Sequence, residues 1–78
     1  KREIISAIDI GTTKIVALIA ERTKDQKYEV LGLGKAPSHG VKRGVVIHID
    51  ETVEAIAKAR DEAEQMAGYR MSEVYVGI

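Results

Sequence analysis

The sequence predicts an α/β fold with the element order β-β-β-α-β, and three observations lead to this prediction. Two runs rich in β-branched residues, 3–10 and 14–21, are separated by the spacer Gly-Thr-Thr, a pattern typical of a β-hairpin. Apolar alternation returns in residues 27–36 and again in 73–78, which indicates two further strands. From about Ile49 the apolar spacing changes to three and four residues, which predicts a long amphipathic helix before the last strand.

Length and composition limit the kind of protein this can be. The chain has 78 residues, so it forms one domain at most and buries little apolar surface. Apolar residues make up 45% and charged residues 31%, a globular profile rather than a disordered one. Twelve basic and twelve acidic side chains cancel without long blocks of either sign, so no nucleic-acid partner is expected. The absence of cysteine excludes disulfides and thiolate metal sites.

The first two strands are almost continuously apolar, which suits strands buried on both faces of a sheet. The first is therefore expected to be central, and the second to run antiparallel to it. On this interpretation Asp9 lies in the last inward part of the first strand, where an unpaired carboxylate would be costly to bury. A compensating partner for Asp9 is then required.

The third predicted strand, residues 27–36, has the less regular pattern KYEVLGLGKA. Its alternation predicts that Tyr28 and Val30 point inward, together with either Leu31 or Leu33. The two glycines inside this strand indicate a bulge, a bend or the close approach of another backbone. Residues 37–44 combine one proline with two glycines and are predicted to form a loop, followed by a short extended entry in 45–49.

The helix is the longest predicted element and spans roughly five turns. Its apolar stripe is assigned to Val53, Ile56, Ala57, Arg60, Ala63 and Ala67. Either Asp50 or His48 caps its start; Asp50 is the better acceptor, while His48 places Glu51 at the capping-box position. Gly68 is predicted to end the helix in a left-handed conformation.

The last predicted strand, residues 73–78, alternates between inward Val74 and Val76 and outward Glu73 and Tyr75. The pattern stops in mid-strand, which leaves an unpaired sheet edge that a complete domain would cover. The chain is therefore expected to be one partial domain, residues 1–78, truncated at its C-terminus.

The turn after the first strand is the strongest candidate for a chemical role. Gly11 permits positive φ and removes a side chain that would obstruct a phosphate. Successive N–H groups at Gly11, Thr12 and Thr13 are expected to point at phosphate oxygens, and Lys14 supplies a positive charge. From these residues alone, an ordinary hairpin turn capped by Asp9 explains the pattern equally well.

A resemblance to known families bears on that choice. The segment AIDIGTTKIVALIAE resembles the first phosphate-binding motif of the actin, heat-shock chaperone and sugar-kinase superfamily, whose domains have a ribonuclease H-like fold. The segments GLG, APSHGVKRG, AEQMAG and SEVYVG resemble the FtsA family of bacterial cell-division proteins. The similarity extends over essentially the whole chain.

The resemblance implies the first part of an actin-like subdomain, named 1A in the family, within a protein that binds ATP and Mg²⁺ between two lobes. It also implies polymerisation on the inner face of the cytoplasmic membrane and attachment of FtsZ filaments at the division septum, together with other divisome proteins. The family's second phosphate motif, adenosine motif and C-terminal amphipathic membrane helix are not among these residues. The residues carried over are Asp9 for Mg²⁺ and, for the phosphates, Gly11, Thr12, Thr13 and Lys14.

Three alternatives remain at this stage. A small-molecule kinase of the same superfamily shares the Asp-x-Gly-Thr-Thr turn, and a nuclease with a ribonuclease H-like fold would use Asp9 as a metal ligand. The isolated chain could also self-associate through its open edge by strand pairing or domain swapping. None of the 78 residues is an obvious water-activating base, so no catalytic residue is predicted, and at most a weak ATPase activity is expected of the intact protein. His39 and His48 lack partners at metal-ligand spacing.

Overall fold

The computed structural model describes residues 3–38, 41–42, 45–46 and 48–77. Its elements in chain order are β1 (Glu3–Ile10), β2 (Lys14–Arg22), β3 (Tyr28–Pro37), β4 (Val41–Lys42), β5 (Val45–Val46), α1 (Ile49–Ala67) and β6 (Val74–Gly77). The predicted order of the long elements is confirmed. The prediction that 37–44 is entirely loop is wrong in part. Strand β4 lies inside this range and pairs in an antiparallel manner with β5, which lies just after it; each strand has two residues. Residues 39, 40, 43 and 44 of that loop lie outside the described residues.

The four long strands form one mixed sheet in the order β3-β2-β1-β6, which confirms the predicted α/β class. The pairs β1–β2 and β2–β3 are antiparallel, as the short connections between them dictate. The pair β1–β6 is parallel because the connection between its strands crosses the sheet through α1. Of the four long strands, β1 is therefore central, as predicted, and β6 lies at an edge.

The core lies between α1 and one face of the sheet. Its largest fully buried side chains are Ile15 and Ile19 of β2, on either side of the buried Ala17. Alanines face them from β3 and α1, namely Ala36, Ala55, Ala59 and Ala63. Burial of this apolar surface is the main stabilising contribution. Within the described residues, no helix combines the length and apolar character that crossing a membrane requires.

A β-bulge in β3 reverses which of its side chains face α1. Ile19 pairs with Gly32 while Ala20 pairs with Val30, so Leu31 is the extra residue. Because side chains alternate along a strand, one extra residue exchanges the two faces. The predicted inward positions of Tyr28 and Val30 are therefore wrong: these side chains are 61% and 59% exposed. Leu31 packs against the core, one of the two alternatives the sequence left open.

Two glycines of β3 allow α1 to approach the sheet closely. A Cβ built on Gly32 would lie 2.2 Å from the Ala63 carbonyl oxygen. One built on Gly34 would lie 1.8 Å from the Ala59 carbonyl oxygen. No side chain fits at either distance, so the predicted close approach of another backbone is confirmed at both glycines.

The same contact corrects the predicted helix stripe. The buried residues of α1 are Thr52, Ala55, Ala59 and Ala63. Val53 and Arg60, both assigned to the stripe, are exposed. Small side chains face the sheet because its glycines leave only a shallow space beneath the helix. The apolar face of α1 is thus rotated toward its alanines relative to the prediction.

The ends of α1 decide between the alternatives left open by the sequence. His48 occupies the N-cap position with extended backbone, and its side chain makes no capping bond. Its carbonyl oxygen instead accepts hydrogen bonds from the Thr52 N–H at 3.1 Å and the Thr52 hydroxyl at 2.9 Å. Gly68 ends the helix at φ 76°, and its N–H donates to the Glu64 carbonyl at 2.9 Å. The predicted glycine cap is confirmed.

Two acidic side chains of α1 tie the helix to neighbouring segments. The Glu62 carboxylate accepts a hydrogen bond from the Lys35 backbone N–H of β3 at 2.8 Å. The Glu64 carboxylate accepts one from the Met71 N–H at 2.8 Å. These two bonds fix α1 relative to β3 and to the segment that leads into β6.

Candidate functional site

The turn of residues 11–13 lies at the end of the sheet where β1 and β6 both have their carboxyl ends. In mixed and parallel α/β sheets, ligands bind outside the carboxyl ends of the strands. Asp9 of β1 is paired with Gly77 of β6 at this end. The predicted site residues therefore occupy the part of the fold where a ligand is expected.

The backbone of the turn is held by two hydrogen bonds. The Gly11 N–H donates to the Lys14 carbonyl oxygen at 3.0 Å. The Ser38 N–H, just after β3, donates to the Thr13 carbonyl oxygen at 3.0 Å. The Gly11 N–H was expected to point at phosphate; in this structure it is used inside the turn. The turn is thus closed by its own backbone and attached to the end of β3.

Gly11 is required for a different reason than the sequence suggested. Its φ is not positive: among the described residues only Gln26 and Gly68 have positive φ. A Cβ on Gly11 would instead lie 2.9 Å from the Lys14 carbonyl oxygen, closer than real Cβ atoms come to a neighbour. The turn therefore closes tightly because residue 11 has no side chain.

The polar side chains of the site are open to solvent. Thr12, Thr13 and Lys14 are all exposed, so two hydroxyls and one ammonium group are available as hydrogen-bond donors. These donors suit an anionic ligand with several oxygens, such as a phosphate tail.

Asp9 is exposed as well, so its predicted inward position is wrong. Its neighbours Ile8 and Ile10 belong to the helix side of the sheet, and alternation places Asp9 on the opposite face. Gly77 leaves room beside it, since a Cβ there would lie 3.5 Å from Asp9 Oδ1. The carboxylate needs no buried partner and is free to meet a ligand at this end of the sheet.

The residues present fit a nucleotide phosphate tail with Mg²⁺ better than a metal site built from protein ligands alone. Asp9 is a single carboxylate, and within the described ranges no three His, Cys, Asp or Glu residues lie together as a metal cluster. Mg²⁺ bound to nucleotide takes most of its ligands from water and phosphate and needs only one or two carboxylates. Gly11 allows the turn to close tightly, and the two exposed threonines supply hydrogen-bond donors.

Two residues that sequence reasoning did not select join the site through the fold. Ser38 reaches the turn only because β3 pairs with β2 up to Pro37. Gly77 reaches Asp9 only through the parallel β1–β6 pair. No local spacing links either residue to the turn, so only the three-dimensional pairing reveals them.

The sheet order, the crossover helix and the glycine–threonine turn at the carboxyl end of β1 together define the opening part of an actin-like domain. Comparison with known proteins agrees with that class. The family model described as "Cell division protein FtsA" matches residues 6–75. The chain belongs to the FtsA family of cell division proteins.

Individual relatives carry the same description, "Cell division protein FtsA". The protein of Pseudomonas aeruginosa is 51% identical over 76 residues, which are 97% of this chain and 18% of the relative. That of Neisseria meningitidis is 49% identical over 95% of this chain, and that of Bacillus subtilis is 40% identical over 97%. The chain spans 17–18% of the length of these three relatives.

Proposed function

We propose that this chain forms the first half of an ATP–Mg²⁺ clamp in an actin-like cell-division protein that polymerises at the membrane and anchors FtsZ filaments at the septum. Membership of the FtsA family supports the cell-division role. The observation that carries the nucleotide proposal is the grouping of exposed Asp9, Thr12, Thr13 and Lys14 at the carboxyl ends of the parallel strands β1 and β6.

In this proposal the turn binds the phosphate tail. The hydroxyls and N–H groups of Thr12 and Thr13 donate to phosphate oxygens, and Lys14 neutralises part of their charge. Asp9 contacts the Mg²⁺ that the phosphates hold, through the water shell of the ion. Within this chain the proposal therefore assigns binding roles only.

The proposed assembly role belongs to a protein of the relatives' full length. It includes peripheral attachment to the inner face of the cytoplasmic membrane through a C-terminal amphipathic helix, self-association into filaments, and contacts with FtsZ and other divisome proteins. The family match favours this role over the small-molecule kinase alternative.

The nucleotide proposal is tested in a full-length FtsA carrying this sequence, made by exchanging the matching segment of the Pseudomonas aeruginosa relative. Calorimetric titration with ATP and Mg²⁺ is expected to show binding that Asp9→Ala and Gly11→Val each weaken at least tenfold. Gly11→Val places atoms against the Lys14 carbonyl, and Asp9→Ala removes the carboxylate. Glu29→Ala, an exposed acid on β3, is the matched control and leaves the affinity unchanged. Unchanged affinity in both site variants would refute the proposal.

The assembly proposal has a separate readout. Sedimentation of the same protein with lipid vesicles, ATP and FtsZ is expected to yield ATP-dependent polymers that carry FtsZ into the pellet. Phosphoryl transfer to a sugar without such polymers would overturn it in favour of the kinase alternative. The isolated 78-residue chain is expected to bind ATP weakly or not at all, because the other phosphate motif and the adenosine motif are not among its residues.

A further inference from the structure

Ser38 lies beside the candidate phosphate turn with an unused polar group. The residue is only 5% exposed. Its hydroxyl is the buried side-chain polar atom that has no hydrogen-bond partner in the described part of the chain. Its backbone N–H donates to the Thr13 carbonyl oxygen of the turn at 3.0 Å. A buried hydroxyl without a partner is unfavourable, since it has lost its bonds to water.

Packing alone does not explain why residue 38 has a hydroxyl group. The same side of β3 carries Gly32, Gly34 and Ala36 toward the core, so small apolar residues occupy the equivalent positions before it. An alanine would fill nearly the same volume without burying a polar atom. The hydroxyl therefore indicates a partner that the described residues of the chain do not supply.

We propose that Ser38 is a further phosphate-binding residue, whose hydroxyl donates to an oxygen of the nucleotide phosphate tail. This inference rests on the proposed function. The Ser38 N–H donates to the Thr13 carbonyl oxygen at 3.0 Å, so residue 38 lies directly against the turn whose Thr13 hydroxyl and N–H the proposed function assigns to the phosphates.

The proposal predicts two effects of opposite sign for Ser38→Ala. Without nucleotide, the variant is expected to unfold at a higher urea concentration than the parent, because the unpaired buried hydroxyl is gone. With ATP and Mg²⁺, the same variant in the full-length FtsA carrying this sequence is expected to bind about tenfold more weakly, equivalent to about 1.4 kcal/mol. A purely structural serine does not combine a gain in stability with a loss of affinity.

Two further variants and a second ligand complete the test. Ser6→Ala removes another buried serine, on β1, and leaves ATP affinity unchanged. Ser38→Cys keeps nearly the same side-chain shape but has a weaker hydrogen-bond donor, so its ATP affinity provides a second test if the alanine variant folds poorly. Adenosine, which lacks phosphate, is expected to bind the parent and Ser38→Ala equally.

The outcomes separate this inference from the function on which it rests. If the parent binds ATP and Asp9→Ala weakens binding while both Ser38 variants bind normally, the Ser38 inference is wrong and the proposed function stands. If Ser38→Ala lowers affinity for ATP and adenosine alike, or destabilises the nucleotide-free protein, Ser38 is structural and the inference is also wrong. If the parent itself does not bind ATP, the proposed function fails.

Discussion

Gly34 of β3 lies directly beneath the carbonyl oxygen of Ala59 in α1, so close that a Cβ at residue 34 would be 1.8 Å from that oxygen. Gly32 makes the same kind of approach to Ala63. The helix and the sheet thus meet backbone to backbone, with alanines filling the remaining space. The small core of this chain depends on that short distance.

Gly34→Ala is expected to destabilise the chain by about 3 kcal/mol, because α1 must move away from β3 to admit the methyl group. Urea denaturation followed by circular dichroism measures the change. Gly77→Ala is the matched control: its Cβ meets only an ordinary contact at 3.5 Å, so its stability should change by less than about 0.5 kcal/mol. Equal effects of the two substitutions would contradict the close approach.

Glu64→Ala is expected to lower stability by about 1–2 kcal/mol, because the Met71 N–H loses a charged acceptor in a partly buried position. Glu64→Gln retains an acceptor oxygen and should lose less. Gln65→Ala changes the exposed neighbouring residue and serves as the control. Hydrogen exchange at the Met71 amide gives the local measurement, and it should accelerate in Glu64→Ala but not in the control.

The turn between β2 and β3 holds Gln26 at φ 67°, a conformation that costs most side chains energy. Gln26→Val is expected to destabilise the chain by about 1–2 kcal/mol, since a β-branched residue tolerates positive φ poorly. Gln26→Gly removes that strain but also the hydrogen bond from Arg22, so its stability should stay near that of the parent. Thermal melting that ranked the valine variant above the glycine variant would count against this conformation.

Lys14→Ala is expected to weaken ATP binding about tenfold in a full-length FtsA carrying this sequence, because an exposed cation beside the proposed phosphate site is lost. The affinity of the parent should fall more steeply with added salt than that of the variant, since salt screens exposed charges. Lys24→Ala makes the same change of charge in the β2–β3 turn and should bind ATP like the parent. Titration calorimetry at two salt concentrations measures both effects.

Local signals predicted the parts of the fold that local forces decide. The spacer of three residues specified the β1–β2 hairpin, and Gly68 ended the helix in the left-handed conformation that its position suggested. Tyr28 and Val53 were wrongly predicted to be buried because their exposure depends on tertiary contacts. The exposure of Tyr28 depends on the extra residue at the bulge in β3, and that of Val53 on how α1 is rotated to fit the glycines of β3. Neither contact is visible in a short stretch of sequence.

The candidate site divides in the same way. The residue types from Asp9 to Lys14 indicated a phosphate turn. The direction of the Asp9 side chain, however, depends on which face of β1 packs against α1, a helix that lies about 40 residues further along the sequence. Val76, predicted to face inward, is 60% exposed because α1 lies mainly over β3 and β2 and leaves the β6 edge uncovered. The residues beside the turn, Ser38 and Gly77, come from strands whose pairing only the fold establishes.

The parallel pair β1–β6 joins segments from near the two ends of this chain. During synthesis, β1, β2 and β3 leave the ribosome early and can form their meander from neighbouring segments, whereas β1 must wait for β6 until α1 has been made. Contacts between distant segments are the slow step in folding small domains. The Asp9–Gly77 pairing is therefore expected to form after the meander of β1, β2 and β3, so a nascent chain gains this part of its candidate ligand site later than the turn itself.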